Sequence, residues 1–242
     1  AAAADVASLE VFRRPRIAIL ATGDELTEPG KAYSNANAVP ESVSFGIAAL
    51  VDDWGGEIVG VRRLRDELDT LKAAAREALG HADLVVVTGG ASVGDRDFAQ
   101  AMFAGPGLET IFSKVAMKPG KPFAYGRIGA AHFMGLPGNP VSSFLTFALL
   151  VRPFVLRLQG VVDVAPQPIA ARADFAWPKA DKRREFLRVR HNAAGGLDLF
   201  HNQSSGVLTS AAWGDGVVDN PAGQTIASGD TVRFIAFSEL LS

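Results

Sequence analysis

An apolar segment that ends in glycines, near the middle of the chain, most constrains the fold. Residues 83–98 read DLVVVTGGASVGDRDF, in which the apolar run Leu84 to Val87 meets Thr88-Gly89-Gly90. A continuous apolar run of this length is typical of a strand that is buried on both faces of a parallel sheet. The segment therefore predicts an α/β fold built on such a sheet.

The loop after this strand has two interpretations. Glycines there leave backbone N–H groups open to a closely approaching anion, or they only supply the positive φ that a strand-to-helix turn needs. The charged residues of Gly94-Asp95-Arg96-Asp97 bear on the choice. Because carboxylates beside a phosphate need a bridging hard cation such as Mg²⁺, the loop favours a phosphate and metal site.

A second apolar strand, over residues 16–21, ends in the same way. Thr22-Gly23-Asp24-Glu25 follows it directly. The carboxyl ends of parallel strands in a doubly wound sheet share one crevice, so we expect Glu25 and Asp97 to face the same ligand. The alternative for Asp24 and Glu25 is a solvated turn or a helix cap.

The elements around these strands predict a doubly wound, mostly parallel sheet. Apolar residues at helical spacing over 43–54, with Ser42 as the cap, precede a strand over 57–64 and a second helix that opens at Asp66. The resulting β-α-β-α-β order implies right-handed crossovers. Asp66 is interpreted either as the N-cap of its helix or as a ligand.

Further along, a turn rich in lysine and proline follows a predicted strand over 109–117. This turn, Lys118-Pro119-Gly120-Lys121-Pro122, holds two ammonium groups in a limited space, and Lys114 lies just before it. Such a turn is a plausible seat for phosphate or another oxyanion, and a solvated turn is the alternative.

A hairpin over 123–136 leads to Leu136-Pro137-Gly138-Asn139-Pro140. Asn139 as the cap and Pro140 as the first helical residue predict a helix that reaches about residue 158. Pro153 should kink this helix, and its amide-rich start again favours an anion.

The pattern changes after this helix, and Gly160 to Pro168 marks a domain boundary. We predict a linker over 1–14, an α/β domain over 15–160 and a small β domain over 161–242. Short strands are expected in the last domain at 169–175, 185–189, 197–200 and 231–237.

Three polar features of the last part of the chain have simple interpretations. The charge run Lys179 to Arg184 predicts a solvated hairpin, and Ser204-Ser205-Gly206 either presents hydroxyls to a ligand or only turns the chain. No two of the chain's four histidines stand at a metal-ligand spacing, so none is given a role.

Composition narrows the class of protein. A chain of 242 residues with 48% hydrophobic content can bury a sizeable core, and a net charge of −2 without a basic stripe argues against nucleic acid or a membrane surface as a partner. Zero cysteines exclude disulfides and fit a reducing cytoplasm. Residues 1–12 do not resemble a signal peptide. The most apolar stretch, 144–151, is far shorter than the ~20 residues of a membrane helix, so no span is expected.

Four of these motifs together resemble one known family. Thr22-Gly23-Asp24-Glu25-Leu26, residues 89–97, Lys118 to Pro122 and Leu136 to Pro140 resemble the molybdopterin molybdenumtransferases of the MoeA type, which include the E domain of gephyrin. Each motif alone is weak, but four in this order are specific. The resemblance implies a molybdopterin-binding, MogA-like α/β domain followed by a small β domain.

The resemblance covers only part of the family's usual length. The amino-terminal domains that precede the molybdopterin-binding domain in the family have no counterpart here, so we expect a fragment or a short form. In the family the active cleft lies between this domain of one subunit and an amino-terminal domain of the other, which implies a homodimer. One departure is Glu41-Ser42-Val43, where the family more often has Asp-Ser-Asn, and it affects a nucleotide or pterin contact.

The reaction that the resemblance implies is the cleavage of adenylated molybdopterin at its pyrophosphate as molybdate enters the dithiolene, assisted by Mg²⁺, with release of AMP. Glu25, Asp66 and Asp97 would be the carboxylates at the metal and molybdate. Lys118 and Lys121 would bind an oxyanion, with Lys114 as a weaker candidate, and no general base is assigned. The residues implied to bind the pterin and its phosphate are Thr22, Gly23, Gly89, Gly90, Ser92, Gly94, Pro137, Gly138, Asn139, Pro140 and Ser205.

Three other functions compete with this one. The first is the adenylyltransferase that makes the adenylated intermediate on the same fold, against which the Lys-Pro-Gly-Lys-Pro turn and the β-rich tail argue. The second is a binding module that keeps the pterin cradle without turnover. The third is a nucleotide pyrophosphatase of the same fold. A preference for adenylated pterin or for ADP-ribose as the substrate would distinguish it from the molybdenumtransferase.

Overall fold

Apolar strands alternating with helices build the first part of the molecule. The structure, a computed structural model, describes residues 2–32, 37–89, 98–103 and 107–242. The strands of this part are β1 (Arg16–Thr22), β2 (Leu26–Thr27), β3 (Val39–Pro40), β4 (Glu57–Leu64), β5 (Leu84–Thr88), β6 (Glu109–Phe112), β7 (Met117–Lys118), β8 (Ala124–Ile128) and β9 (Ala131–Leu136). The helices are α1 (Val43–Asp53), α2 (Leu68–Leu79), α3 (Phe98–Phe103), α4 (Pro140–Thr146) and α5 (Arg152–Leu158).

The first sheet has six strands in the order β4-β1-β5-β9-β8-β6. Its first four strands are parallel, and β8 and β6 add an antiparallel edge. Ala21 of β1 pairs with Thr88 of β5, and Thr88 pairs with Leu136 of β9. The doubly wound, mostly parallel sheet is confirmed, and this register brings three strand ends to one edge.

Strand β5 is buried on both faces, as its continuous apolar sequence predicts. Val85 and Val87 belong to the core that packs under α2 and α3, whereas Leu84 and Val86 belong to the core under α1, the turn Phe147–Val151 and α5. All four side chains have 0% exposure. Because period-2 alternation sends neighbouring residues to opposite faces, a strand with two covered faces has no polar face.

The long helix after β9 is continuous from 140 to 158, but it is not regular. Between α4 and α5 the turn Phe147–Val151 has π-helical hydrogen bonding. Pro153 lies just beyond this turn and cannot donate a backbone hydrogen bond to the preceding turn, which locates the irregularity where the sequence predicts a kink.

By length and composition alone, this helical segment, Pro140–Leu158, is long and apolar enough to cross a membrane, with a mean hydropathy of 1.6. The expectation of no span rested on the shorter apolar stretch 144–151 and so missed this candidate. Inside the protein 61% of that window is buried. Val141, Leu145, Phe147, Val151 and Val155 all have 0% exposure. Packing in the core therefore accounts for its apolar composition.

A second sheet forms in the last part of the chain, as predicted. Its strands are β10 (Ile169–Arg172), β11 (Arg184–His191), β12 (Leu197–Leu199), β13 (Gly216–Asn220) and β14 (Thr231–Ala236), with helices α6 (Thr209–Trp213) and α7 (Phe237–Leu241). The strand order is β10-β14-β13-β11-β12, and the neighbours along it are antiparallel.

The sequence interpretation missed β13, α6 and α7. Strand β13 is fully buried and central to its sheet, yet its sequence, GVVDN, has only two large apolar residues and no alternation to detect. Three predicted strands are also too long: the first ends at Arg172, the third ends at Leu199, and the last ends at Ala236, where Phe237 begins α7.

The predicted single strand over 109–117 is wrong. The chain leaves the first sheet after Phe112, and β7 joins the second sheet, where Met117 pairs with Arg184 and Lys118 with Glu185 in parallel. A change of sheet divides one apolar stretch into two strands. The two predicted domains thus share hydrogen bonds at β7, and their limits stay a prediction.

Candidate active site

A cleft of about 500 Å³ lies at the carboxyl ends of β1, β5 and β9. This strand-end cleft brings together many of the residues singled out in the sequence. Those that line it are Thr22, Glu25, Gly89, Pro137, Gly138, Asn139 and Pro140. The shared crevice expected from parallel strand ends is therefore formed by residues far apart in the chain.

The floor of the strand-end cleft is a close approach of backbones. Gly89 has a φ of +83°, and a Cβ added to it would collide with the carbonyl oxygen of Thr22. A Cβ added to Gly138 would lie 3.6 Å from the Cα of Gly89. The turn itself therefore requires glycine at 89, as the interpretation of a strand-to-helix turn with positive φ held. Because Gly89 lies close to Thr22 and Gly138, backbone atoms line the floor of the cleft.

Acidic residues stand at one end of this floor. The Glu25 carboxylate folds back over Gly23, where an added Cβ would lie 2.7 Å from Oε2. Asp24 Oδ1 accepts a hydrogen bond of 3.2 Å from the backbone N–H of Asp66. The ends of β1 and β4, which pair from Arg16 to Thr22, hold this acidic cluster together.

Asp66 is not the cap of its helix. Glu67 occupies the N-cap position of α2, and Asp66 Oδ1 is buried without a hydrogen-bond partner among the described residues. Burial raises the pKa of the Asp66 carboxyl, and the negative charges of Asp24 and Glu25 raise it further. A carboxylate oxygen left without a donor in an acidic cluster is suited to a cation.

The carboxylates present fit a hard cation in part. Among the residues that the structure describes, no group of three or more His, Cys, Asp or Glu side chains could hold a metal ion by itself. Mg²⁺, however, is commonly bound through one or two carboxylates together with substrate phosphates. Glu25 and the unpartnered oxygen of Asp66 suit that mode. Asp97, the third predicted ligand, lies outside the described residues, as do Gly90, Ser92 and Gly94.

Glu41, which the sequence interpretation did not assign to the site, organises the opposite wall of the strand-end cleft. Its side chain is 7% exposed, Oε1 accepts a 2.8 Å hydrogen bond from the Ser44 backbone N–H, and Oε2 accepts one from the Ser44 hydroxyl. Ser42 occupies the N-cap position of α1, as predicted, but its side chain makes no capping hydrogen bond. The longer side chain one residue earlier reaches the free amide instead.

The start of α4 is also capped differently from the prediction. Pro140 is the first helical residue, as expected, but the Asn139 side chain makes no capping hydrogen bond. The backbone N–H of Val141 donates to the Ser205 carbonyl oxygen at 3.0 Å. Ser205 thus contacts this helix through its backbone carbonyl. The N–H of Val141, one of the helix-start amides predicted to bind an anion, is already hydrogen-bonded to it.

A second pocket, of about 710 Å³, lies beside the lysine and proline turn. This basic pocket is lined by Lys114, Lys121, Lys182 and Arg183 and by the single carboxylate Asp181. The charge run interpreted as a solvated hairpin therefore forms one of its walls. Lys121 lines the basic pocket, whereas its neighbour Pro122 lines the strand-end cleft, so one peptide unit separates the two.

Lys118 is held by carboxylates of the second sheet. Its Nζ lies 3.0 Å from Glu185 Oε1 and 3.2 Å from Asp181 Oδ2. Burial lowers the pKa of the Lys118 ammonium, but the hydrogen bonds that it donates to Glu185 and Asp181 outweigh this effect, and the net pKa is raised. Glu185 is 1% exposed and also accepts a 2.8 Å hydrogen bond from the Trp177 indole. The ammonium of Lys118 is thus already paired, whereas the three lysines that line the basic pocket, Lys114, Lys121 and Lys182, form no ion pair with any described residue.

Comparison with known proteins agrees with this arrangement. Residues 18–157 match the model of the family described as "Probable molybdopterin binding domain", and residues 170–237 match that of the "MoeA C-terminal region (domain IV)". The molybdopterin molybdenumtransferase of Haemophilus influenzae is 34% identical over 245 residues, which cover 98% of this chain and 59% of that protein. The molybdopterin molybdenumtransferase of a Nostoc species is 32% identical over 240 residues, which cover 96% of this chain and 55% of that protein.

A solved structure shows the same architecture. The crystal structure of the molybdopterin biosynthesis MoeA protein from Pyrococcus horikoshii superimposes with a TM-score of 0.78 at 28% identity, over 93% of this chain and 55% of that one. The chain spans little more than half the length of the curated relatives it matches. The family models cover both sheets, and the chain belongs to the molybdopterin-binding domain family in its MoeA form, in which the MoeA C-terminal region follows that domain.

Proposed function

We propose that this chain carries out molybdenum insertion in the synthesis of the molybdenum cofactor: adenylated molybdopterin is cleaved with molybdate to give molybdenum-loaded molybdopterin and AMP. The observation that carries the proposal is the lining of one strand-end cleft by Glu25 and six of the predicted pterin residues, Thr22, Gly89, Pro137, Gly138, Asn139 and Pro140, while Lys121, the residue before Pro122 of this lining, lines a basic pocket. The named relatives are molybdopterin molybdenumtransferases, which supports the same activity.

The strand-end cleft would take the pterin and its phosphates. The backbone floor at Gly89 and Gly138 allows close approach by a phosphate. Pro137 and Pro140 form the wall that faces it. Thr22 and Asn139 contribute polar groups to the same lining, so recognition would use backbone and small side chains.

The acidic cluster would hold Mg²⁺ through Glu25 and Asp66, with Asp97 as the third predicted ligand. When bound, this ion would neutralise charge on the pyrophosphate. The protein's own contribution is to position Asp66: Asp24 Oδ1 accepts a hydrogen bond from its backbone N–H, and Asp66 Oδ1, which has no partner among the described residues, would be available to the cation.

The basic pocket would receive molybdate. Lys121 and Lys114 offer ammonium groups there, and Arg183 adds a guanidinium that sequence interpretation had not assigned. Lys118 contributes less directly, because Glu185 and Asp181 already bind it. Fixed positive charge of this kind also offsets the charge of the departing AMP, and no protein nucleophile is needed.

The second half of the chain favours insertion over adenylylation. The adenylyltransferase alternative explains the molybdopterin-binding domain, but it gives no role to a MoeA C-terminal region, which this chain carries at 170–237. That region also supplies Asp181, Lys182 and Arg183 to the basic pocket. A homodimer and a cytoplasmic location stay predictions, and light scattering would test the first.

Titration calorimetry with molybdopterin, AMP and adenylated molybdopterin, each with and without Mg²⁺, tests the proposal, followed by AMP release on addition of molybdate. Asp66→Asn should abolish Mg²⁺-dependent release. Lys121→Ala should raise the molybdate concentration needed for half-maximal release by at least about tenfold, a loss of about 1.4 kcal/mol. Lys72→Ala, a lysine of α2, serves as the control and should change neither quantity.

Each alternative gives a different result in this experiment. Binding of the pterin without release of AMP would indicate the binding module, and formation of adenylated molybdopterin from ATP would indicate the adenylyltransferase. If none of the three ligands binds, the chain shares the fold of the family without this function.

A further inference from the structure

Among the described residues, Asp181 is the one carboxylate that lines the basic pocket, and it pairs with Arg183 of the same lining and with the nearby Lys118. Its Oδ1 accepts hydrogen bonds from the Arg183 backbone N–H at 3.0 Å and from Nε at 2.9 Å. Its Oδ2 accepts one from Arg183 Nη2 at 2.8 Å and lies 3.2 Å from Lys118 Nζ. The hydrogen bonds from Arg183 hold the pKa of Asp181 well below its usual range, so the carboxylate is charged at neutral pH.

These contacts are the ones that a bound oxyanion would make. A tetrahedral dianion accepts two parallel N–H bonds from a guanidinium and a charge-assisted bond from an ammonium. Asp181 already accepts both kinds, from Arg183 and Lys118. Within the described part of the chain, Lys114, Lys121 and Lys182 form no ion pair, so the pocket keeps excess positive charge beside the Asp181–Arg183 pair.

We infer that Asp181 is an internal counter-ion that competes with oxyanions for Arg183 and Lys118 and thereby sets the affinity and selectivity of the basic pocket. This inference rests on the proposed function, in which the pocket receives molybdate. An incoming dianion must either displace the Asp181 carboxylate or bind beside it against like-charge repulsion. Both routes lower affinity relative to a pocket without that charge.

The same group distinguishes between anions by their protons. A carboxylate only accepts hydrogen bonds. Hydrogen phosphate carries a proton that it can donate to Asp181, whereas molybdate and sulfate carry none at neutral pH. Asp181 therefore penalises molybdate and sulfate more than hydrogen phosphate, a difference that a merely structural role for Asp181 would not produce.

The test is titration of the full chain with molybdate, sulfate and inorganic phosphate, in wild-type protein and in Asp181→Asn. The amide keeps the shape of the side chain and removes its charge. Molybdate and sulfate should bind Asp181→Asn several-fold to about tenfold more tightly, with a smaller gain for phosphate, and the gain should shrink as ionic strength rises. Asp181→Glu restores the charge and should return binding to the wild-type level or below.

Asp174→Asn is a matched control. Asp174 also pairs with the arginine two residues away, accepting 2.7 Å and 3.0 Å hydrogen bonds from Arg172, but it does not line the basic pocket. This variant should leave anion binding unchanged. Thermal unfolding of both variants verifies that each remains folded.

The outcomes separate the inference from the function beneath it. If wild-type protein binds molybdate and Asp181→Asn binds it equally or more weakly, the counter-ion role is overturned and the oxyanion site stands. Equal gains for all three anions would overturn the selectivity. If neither protein binds any of the anions, both the inference and the oxyanion site of the proposed function fall.

Discussion

At Gly89 the backbone following one strand lies close to the end of the neighbouring strand at Thr22. Because an added Cβ would meet the Thr22 carbonyl oxygen and φ is +83°, Gly89→Ala should lower the free energy of unfolding by about 2–4 kcal/mol, from backbone strain and overpacking together. Gly223→Ala has a similar φ of +78° with nothing within 4 Å, and should cost only about 1 kcal/mol. Equal losses in urea unfolding of the two variants would contradict the close approach.

Asp66 makes stability depend on pH with a definite sign. Its pKa is raised in the folded state by burial and by Asp24 and Glu25, so the native protein binds its proton at pH values where the unfolded chain has lost it. Stability therefore falls as pH rises through this window, and the penalty is complete above the folded pKa.

Asp66→Asn should consequently stabilise the protein at pH 7 in the presence of a chelator, by less than about 1 kcal/mol since the group is partly solvated. The gain should vanish well below the ordinary carboxyl value of 3.8. Urea unfolding at both pH values measures it, with the exposed Asp163→Asn as the control. A variant that is less stable at pH 7 would show that the carboxylate is satisfied in the native state.

At the scale of elements, the turn Phe147–Val151 joins two halves of the long helix to α1. The Phe147 ring is fully buried and stacks on Trp54 with centroids 5.1 Å apart. Phe147→Ala should cost about 3–5 kcal/mol because it leaves a cavity between helices. The control is Phe45→Ala. Phe45 lies in α1, the helix that Trp54 caps at its C-terminus, but it is 62% exposed, so its loss should change stability by no more than about 0.5 kcal/mol. Chemical denaturation followed by tryptophan fluorescence compares them, and similar losses would argue against this packing.

At the scale of the whole molecule, the pairing of β7 with β11 connects the two sheets. Glu185 is 1% exposed and holds Lys118 on one oxygen and the Trp177 indole on the other. Glu185→Gln keeps the shape and removes the charge, so it should lower stability by about 1–3 kcal/mol. Backbone amides of β7 should also exchange faster with solvent, because the ion pair that fixes this strand on the second sheet is weakened.

The control for Glu185→Gln is an ion pair on the surface of the first part of the molecule, between α2 and β4. Glu77 pairs with Arg62, and their side chains are 65% and 46% exposed. Glu77→Gln should change stability by less than about 1 kcal/mol. If calorimetry and hydrogen exchange find both variants equivalent, the Lys118–Glu185 pair does not couple the sheets.

Much of the first domain follows from local pattern. The buried strand at 84–88, the helix that begins at Pro140 and the hairpin around Gly129 are formed where the sequence predicts them, since apolar periodicity and proline or glycine positions act within a few residues. The rule that parallel strand ends share a crevice predicts one ligand for Glu25 and Asp97. Glu25 does line the strand-end cleft, with Thr22 and Gly89, whereas Asp97 lies outside the described residues and its part of the prediction stays a prediction.

The other parts of the site were decided by contacts between distant segments. The side chain of Glu41 rather than that of Ser42 caps α1, Lys118 is bound by Glu185, and Arg183 and Asp181 enter the basic pocket across the two sheets. Local sequence pattern does not predict such partners. The same lysine is either solvated in a turn or paired with a buried carboxylate, depending on which distant residues the fold places next to it. The sequence alone established the fold, the family and the strand-end cleft, whereas tertiary packing determined which charges remain available to a ligand.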